Sequence, residues 1–413
     1  MRILHFSDLH LGVENYGTLN PRTGLSTRVD DFLRSFDEVI DHAISRQVDA
    51  VLFSGDAFKN RDPNPTIQRL FARRIRRLAE AAIPTVLLIG NHDLPSITAR
   101  ATAIEIYDAL GIPNIYVARK LERWEIPTRS GPLQVITLPW ISRSVLLSRD
   151  EIRALSSDEL QRRIGEEISA SLAELVQELN PTLPAVLLGH LSLEGAKLGS
   201  EQSIMLGEDL VLGTGELSVR AFDYVALGHI HKHQHVTANP PTVYAGSIER
   251  VDFGEENEEK GFVIVDIHED STGKRDAGWS FHPVKARPFL TLRITATSSD
   301  PLADVRRAIE RQAAAIRGSI VRVFVSLPSE HEELLRTEDV RRILQEHDAY
   351  FIAKVVRDVE MQTRARVDIR DDEALDPLVM LERWLGQREM PDDQRRKVLE
   401  RGRALIQTDR ARE

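Results

Sequence analysis

An α/β fold is predicted by three features of this sequence: short apolar runs bounded by turn signals, a glycine at the exit of each, and amphipathic helical stretches between them. Leu52-Phe53-Ser54-Gly55-Asp56, Val86-Leu87-Leu88-Ile89-Gly90-Asn91, Val186-Leu187-Leu188-Gly189-His190 and Val225-Ala226-Leu227-Gly228-His229 share that grammar. Apolar runs of this length read as strands covered on both faces. Glycine lets the backbone turn sharply, so the next side chain projects from the sheet edge, where ligands bind in open α/β sheets. One Gly-Asp or Gly-His step carries little weight alone. Four in one chain mark a site.

In chain order, the strand Arg2-Ile3-Leu4-His5-Phe6 runs into Ser7-Asp8-Leu9-His10. Asp8 and His10 stand two apart in extended chain, so they share a face and can grip one ion. Taken alone, the pair reads more readily as loop side chains satisfied by backbone. A loop rich in Gly, Asn, Thr and Pro, from Asn15 to Thr27, leads to a helix over Val29 to Ile44 with Phe32, Phe36, Val39 and Ile40 on one face. Pro63-Asn64-Pro65 starts a second helix, about Thr66 to Ala81. Its Arg69, Arg73, Arg74, Arg76 and Arg77 read as a solvated face rather than a nucleic-acid surface. A helix near Thr98 to Leu110, short strands near Ile115, Leu121 and Val135, and a long polar helix from about Asp150 to Leu179 follow. Beyond Gly228-His229-Ile230-His231, the alternating His233 and His235 read as strand or loop residues, and the acidic loop after Gly254 reads as solvated. Trp279 to Val284 closes a first domain, 1–286.

A small α/β domain, 287–361, is expected from strands at Phe289 to Ile294, Ile320 to Leu327 and Tyr350 to Val356, separated by helices over Leu302 to Ile316 and Glu332 to Glu346. The charged stretch 362–375 reads as a linker. In 376–413, Leu378, Leu381, Trp384 and Leu385 group on one short amphipathic helix, and Val398, Leu399, Leu405 and Ile406 on another. So small a pair must dock on something, either its own first domain or another protein.

Composition narrows the chemistry. The chain of 413 residues is 42% hydrophobic and 29% charged, with no bilayer-length apolar run and no leader-type N-terminus, which points to a cytoplasmic protein without a membrane partner. The absence of cysteine excludes disulfides and thiolate metal sites, leaving His, Asp, Asn and Glu and favouring harder ions such as manganese or magnesium. A net charge of −10 argues weakly against nucleic acid, although local patches outweigh the sum.

The candidate ligands are Asp8, His10, Asp56, Asn91, His190, His229 and His231. They are too many for one tetrahedral ion. Two ions sharing a carboxylate fit better, and a clamp about 3.5–4 Å wide suits in-line displacement at phosphorus. The predicted reaction is phosphoester hydrolysis. His92, with Asp93 beside it as candidate orienting partner, is placed to act as general acid or to stabilise the transition state. In isolation Gly90-Asn91-His92-Asp93 reads equally as an Asx-type turn.

The ordered set Asp8-x-His10, Gly55-Asp56, Gly90-Asn91-His92-Asp93, Gly189-His190 and Gly228-His229-x-His231 resembles the calcineurin-like metallophosphoesterase superfamily. Within it, Ser7-Asp8-Leu9-His10-Leu11-Gly12, the stretch Gly246-Ser247-x-Glu249-Arg250-x-Asp252-Phe253-Gly254-Glu255 and the C-terminal helical pair are similar to the SbcD-type exonuclease subunits and their archaeal counterparts. The resemblance covers the whole chain and is strongest through about residue 265. It implies a four-layer sandwich of two mixed sheets flanked by helices. It further implies that 287–361 is a DNA-capping domain and that about 376–406 docks an SbcC-type coiled-coil ATPase. One manganese would be held by Asp8, His10, Asp56 and His231 and a second by Asp56, Asn91, His190 and His229, with magnesium as the alternative ion; His92 matches the catalytic histidine. The implied protein is a homodimer, joined through the helices near Thr66 to Ala81 and Thr98 to Leu110. Its implied activity is double-strand exonuclease and single-strand endonuclease in a nucleoid-associated DNA repair complex. One departure stands out: some relatives carry histidine three residues after the bridging aspartate, where this chain has Lys59, which can bind phosphate as a point charge. A phosphodiesterase or phosphatase for small phosphoesters is the alternative. A catalytically silent scaffold is disfavoured because every ligand position is filled.

Overall fold

Alternation of side chains along the central strands builds the layers of this fold. The computed structural model describes residues 1–95, 100–141, 156–197, 199, 211–217, 219–360, 381–382, 385 and 392–410. One six-stranded sheet holds β1 (Arg2–Phe6), β2 (Ala50–Phe53), β3 (Thr85–Leu88) and β4 (Ile115–Ala118) in parallel, completed by antiparallel β13 (Gly261–Glu269) and β14 (Arg275–Pro283). A second six-stranded sheet has the order β11 (Gln234–Ala238), β12 (Pro241–Tyr244), β10 (Tyr224–Gly228), β7 (Ala185–His190), β6 (Gly131–Leu138), β5 (Glu122–Thr128), with β12, β10, β7 and β6 parallel. Two-residue strands β8 (Ser192–Leu193) and β9 (Val211–Leu212) pair beside it.

Val51 and Phe53 face helices α1 (Thr27–Ser45) and α2 (Pro65–Glu80), whose Phe32, Phe36, Ile67 and Phe71 complete one core. Their neighbours Ala50 and Leu52 point the other way, onto Val186, Leu188, Tyr224 and Ala226 of the second sheet. Leu187, Val225 and Leu227 then face Leu160, Ile164, Ile168 and Leu172 of α4 (Ser157–Gln177). Helix, sheet, sheet and helix therefore stack as the expected four layers. Local signals start the helices where they do: Ser26 caps α1, Asn64 accepts from the Ile67 N–H ahead of α2, and a Ser156/Glu159 capping box opens α4. On α2, Arg74 and Arg77 pair with Asp37 of α1, and Arg76 with Glu80, which accounts for three of the clustered arginines by ordinary ion pairing.

Some elements are shorter than the sequence suggests. Only α3 (Ile106–Ala109) remains of the helix expected over Thr98 to Leu110, and residues 96–99 lie outside the described residues. The helix expected from Asp150 starts at Ser157, and 142–155 likewise lie outside them. A helix expected over Leu302 to Ile316 is broken at Gln312 into α5 (Pro301–Arg311) and α6 (Ala313–Ile316), which carries Ile316 into the core. The linker 362–375 falls outside the described residues. Of the expected helical pair, Leu381, Glu382, Leu385 and α8 (Asp392–Arg410) are described; Leu385 is buried, and Glu382 pairs with Arg403 at 3.3 Å.

A separate parallel sheet of β15 (Phe289–Thr295), β16 (Ile320–Pro328) and β17 (Phe351–Glu360) packs against α5 and α7 (Thr337–Glu346). Buried charge ties this unit to the first. Arg28, Asp31 and Glu249 are almost wholly excluded from solvent, an arrangement that is costly unless each charge is paired. Arg28 donates to Asp31 at 2.7 Å. Arg287, on the connector before β15, donates Nε and Nη2 to Asp31 at 2.5 Å each and Nη1 to the Gly318 carbonyl at 2.8 Å, with its guanidinium 3.5 Å from the Tyr350 ring centroid. Burial by itself would raise the Asp31 carboxyl; the bonds and charges of Arg287 and Arg28 outweigh it and hold that carboxyl below its ordinary value.

Arg287→Ala should therefore lower unfolding free energy by about 3 kcal/mol at neutral pH, read by urea denaturation. A depressed carboxyl stabilises the fold above its unfolded pKa of about 3.9 and loses that contribution as pH falls through the folded value. The gap between wild type and variant should accordingly shrink below about pH 4.

Candidate metal centre

Strand ends from both sheets converge at one edge, and the backbone there is held in an unusual conformation. Asp8, His10, Asp56 and His229 adopt φ values of 51°, 46°, 62° and 96°. Non-glycine residues in this region cost about 1–3 kcal/mol each and persist only where the surroundings enforce them. Here the enforcing bonds are explicit: the Asp8 N–H donates to the Gly55 carbonyl and the His10 N–H to the Asp56 carbonyl, each at 3.0 Å, and the His229 N–H donates to Asp8 Oδ1 at 3.0 Å. Gly55 and Gly90 permit the close approach. A Cβ on Gly55 would lie 2.5 Å from His190 Nδ1, and one on Gly90 would collide with the Asp56 carboxylate.

All seven candidate ligands meet at this edge. Asp56 Oδ2 lies 3.6 Å from His10 Nε2 and 3.5 Å from His190 Nε2. Asn91 Oδ1 stands 2.9 Å from His190 Nε2 and 3.2 Å from His229 Nδ1. The Nε2 atoms of His10 and His231 face each other at 2.9 Å. Donor atoms of Asp8, His10 and His231, of Asp8, Asp56 and His190, and of His10, Asp56 and His92 form three groups, each within 4.8 Å. Neighbouring groups fix which ring nitrogen points inward: His190 Nδ1 donates to the Ser54 carbonyl at 2.6 Å, and His231 Nδ1 pairs with Glu255 Oε1 at 2.8 Å.

The donor set fits divalent cations that accept nitrogen and oxygen ligands. The facing Nε2 atoms of His10 and His231, with the His231 outer nitrogen already committed to Glu255, suit a shared cation. The charges on Asp56 and His10 agree with that use. Burial alone would neutralise Asp56, but the adjacent imidazoles, His190 foremost, keep it well below the ordinary carboxylate range, in its ligating form. Burial likewise opposes charge on His190, yet Asp56 and Asp8 lift it to about 9, so without an ion this imidazole holds a proton that ligation would displace. Burial, then the His231 charge, holds His10 well below its usual value, so its neutral, ligating form dominates.

Three readings from the sequence change. Asp93 is not the partner of the His92 ring. That ring's Nδ1 donates to the Lys59 carbonyl at 2.9 Å, while the buried Asp93 carboxylate accepts the N–H groups of Asp56, Ala57 and Gly90 at 2.9, 3.0 and 3.0 Å. Adjacent side chains on a tight turn point apart, so Asp93 joins two loops where His92 faces the site. Burial, reinforced by the Asp56 charge, pushes Asp93 up to about 7. Lys59 thus takes part first through its backbone. The acidic loop is not simply solvated either: Glu255 is fully buried, ion-paired with Lys260 at 2.8 Å as well as with His231. Its signal in the sequence was its place at the end of the stretch Gly246 to Glu255. Trp140, unremarked in the sequence, sets its ring 4.7 Å from the His229 ring and walls the site on that side.

Residues 1–233 match the family profile of the calcineurin-like phosphoesterases. The chain is 27% identical over 274 residues to the D subunit of the nuclease SbcCD from Staphylococcus epidermidis, covering 65% of this chain and 66% of that protein. It is 29% identical over 279 residues to the DNA double-strand break repair protein Mre11 of Sulfurisphaera tokodaii, covering 65% and 60%. The chain thus spans slightly less than two thirds of these two relatives. With the D subunit of the nuclease SbcCD from Bacillus subtilis the identity is 24% over 378 residues, covering 90% and 89%.

Asp93→Asn replaces one acceptor oxygen by an amide donor facing backbone N–H groups. It should cost about 1–3 kcal/mol in urea denaturation. Unchanged stability would mean that the three bonds do not hold the two loops together.

Proposed function

We propose that this chain, which belongs to the calcineurin-like phosphoesterase family, is a manganese-dependent DNA nuclease with double-strand exonuclease and single-strand endonuclease activity at a two-ion centre. The observation that carries this reading is Asp56 Oδ2, nearly equidistant from His10 and His190 at 3.6 and 3.5 Å. On it, Asp56 would be shared by the two ions; Asp8, His10 and His231 would complete one site and Asn91, His190 and His229 the other, for manganese or, as the alternative, magnesium. Bound ions supply charge neutralisation at phosphorus and acidify the attacking water. The chain's own residues do the rest. His92, its Nδ1 held by the Lys59 carbonyl, presents Nε2 to protonate the leaving oxygen. Its backbone N–H donates to Asp56 Oδ1 at 2.8 Å, so acid and bridge are positioned by one contact. The Lys59 ammonium is the proposed phosphate contact, and Asp93 positions both loops.

The DNA substrate and the complex rest on the relatives named above. We assign 287–361 as the DNA cap and about 376–406 as the dock for an SbcC-type coiled-coil ATPase, in a nucleoid-associated repair complex of the cytoplasm. Exposed Ile106 (51%) and Leu110 (67%) beside α2 support a homodimer through α2 and α3. No helix among the described residues is long and apolar enough to cross a membrane. The net charge of −10 favours the second reading, hydrolysis of small phosphoesters, and cyclic nucleotides and aryl phosphates assayed beside duplex and single-stranded DNA separate the two.

His92→Ala should abolish manganese-dependent DNA cleavage while both ions remain bound, and Asp56→Ala should lose both ions by metal analysis. Normal cleavage by the first, or two retained ions in the second, refutes the assigned role. Removing residues from Asp376 onward should end co-purification with the coiled-coil ATPase; persistence of the complex would place the dock elsewhere.

A further inference from the structure

The turn from Phe253 to Glu256 belongs to two bodies at once. On one side, Glu255 fixes His231 at 2.8 Å and is itself clamped by Lys260 Nζ at 2.8 Å and the Val251 N–H at 3.1 Å. On the other, the three-stranded unit grips the flanking residues. Arg322 of β16 places its guanidinium 4.3 Å from the Phe253 ring centroid, and Phe289 of β15 packs edge-on to the same ring at 4.9 Å. Glu256 accepts from the Thr291 N–H at 2.6 Å and from the Thr291 hydroxyl, which in turn accepts from Arg322 Nε at 2.8 Å. Neighbouring carboxylates thus reach in opposite directions, Glu255 to the metal centre and Glu256 to the small sheet. Arg250 braces the turn by donating to the Glu255 carbonyl at 3.2 Å and to the Arg287 carbonyl at 3.2 Å, on the connector between the two bodies.

We infer that this turn couples the two: the seating of the three-stranded unit on Phe253 and Glu256 sets the position of Glu255, and thereby the orientation of His231 as a ligand. The inference rests on the metal-centre reading above. Groups that orient a ligating histidine change metal affinity by about 10–100-fold when altered. Glu255 and, at one remove, Arg322 and Glu256 are positioning residues; neither of the latter two touches the centre. Removing the cation over Phe253 or the carboxylate on Thr291 frees the turn to shift and loosens His231, while the other site keeps its own anchor, the Ser54 carbonyl on His190 Nδ1.

Manganese titration of the full chain by calorimetry, with bound and free ion counted by electron paramagnetic resonance, tests this. Wild type should bind two ions. Arg322→Ala and Glu256→Gln should each weaken one of them about tenfold and leave the other unchanged, Glu255→Gln should weaken the same ion at least as much, and Arg322→Lys should restore most of the loss by keeping a cation over Phe253. Two ions bound at wild-type affinity in both Arg322→Ala and Glu256→Gln overturn the coupling even if Glu255→Gln is impaired. Equal weakening of both ions, with a lowered melting temperature, points to general destabilisation and also overturns it. A wild-type chain that takes up no manganese is a different failure, since it removes the metal-centre reading itself.

Discussion

Asp56 lies where the exits of β2 and β3 approach so closely that Gly90 has no room for a Cβ, and the metal centre is registered from that contact. Its carboxylate faces His10 on one side and His190 on the other, its N–H is held by Asp93, and its carbonyl accepts from His10. Each bond constrains a different loop, and with the Asp8 bond to Gly55 and the His229 bond to Asp8 they hold Asp8, His10, Asp56 and His229 at positive φ. The strain is local; the bonds that maintain it are spread over both sheets. Such a site stays pre-organised because no single loop can relax without breaking a bond to another.

Buried charge extends the same logic outward. Glu255 orients His231, Lys260 neutralises Glu255, and a few residues away Glu249 accepts the Arg287 N–H at 3.0 Å beside the Arg28–Asp31 pair. Each of these groups would be destabilising if left alone in the interior, and each has its partner. The stretch from Gly246 to Glu258 therefore carries more of the architecture than its polar, glycine-containing composition suggests. It joins the metal centre to the connector at Arg287 and to the three-stranded sheet.

Much of this was legible in the sequence because it is local. The apolar runs, their glycine exits and the helices between them follow from side-chain periodicity, which depends only on neighbours along the chain. Type and order of elements were therefore readable, and so were the seven residues that meet at the sheet edge, because they stand at the exits of strands. Lengths were less so. Gln312 breaks a stretch whose periodicity runs on unbroken, because burial of Ile316, a tertiary contact, decides where the chain turns.

What the sequence by itself determined is the identity of the groups available: hard ligands, no thiol, strands to mount them and helices to cover those strands. The tertiary structure alone decided the partnerships. Asp93 follows His92 in the chain yet serves three N–H groups, two of them from a loop 36 and 37 residues away, and Lys59 meets His92 through its carbonyl rather than its charge. Glu255 looks like a solvated acid until the fold brings His231 and Lys260 to it. The physical reason is the same in each case. A hydrogen bond or an ion pair is fixed by position in space, and adjacency along the chain constrains that position only within a turn or a strand.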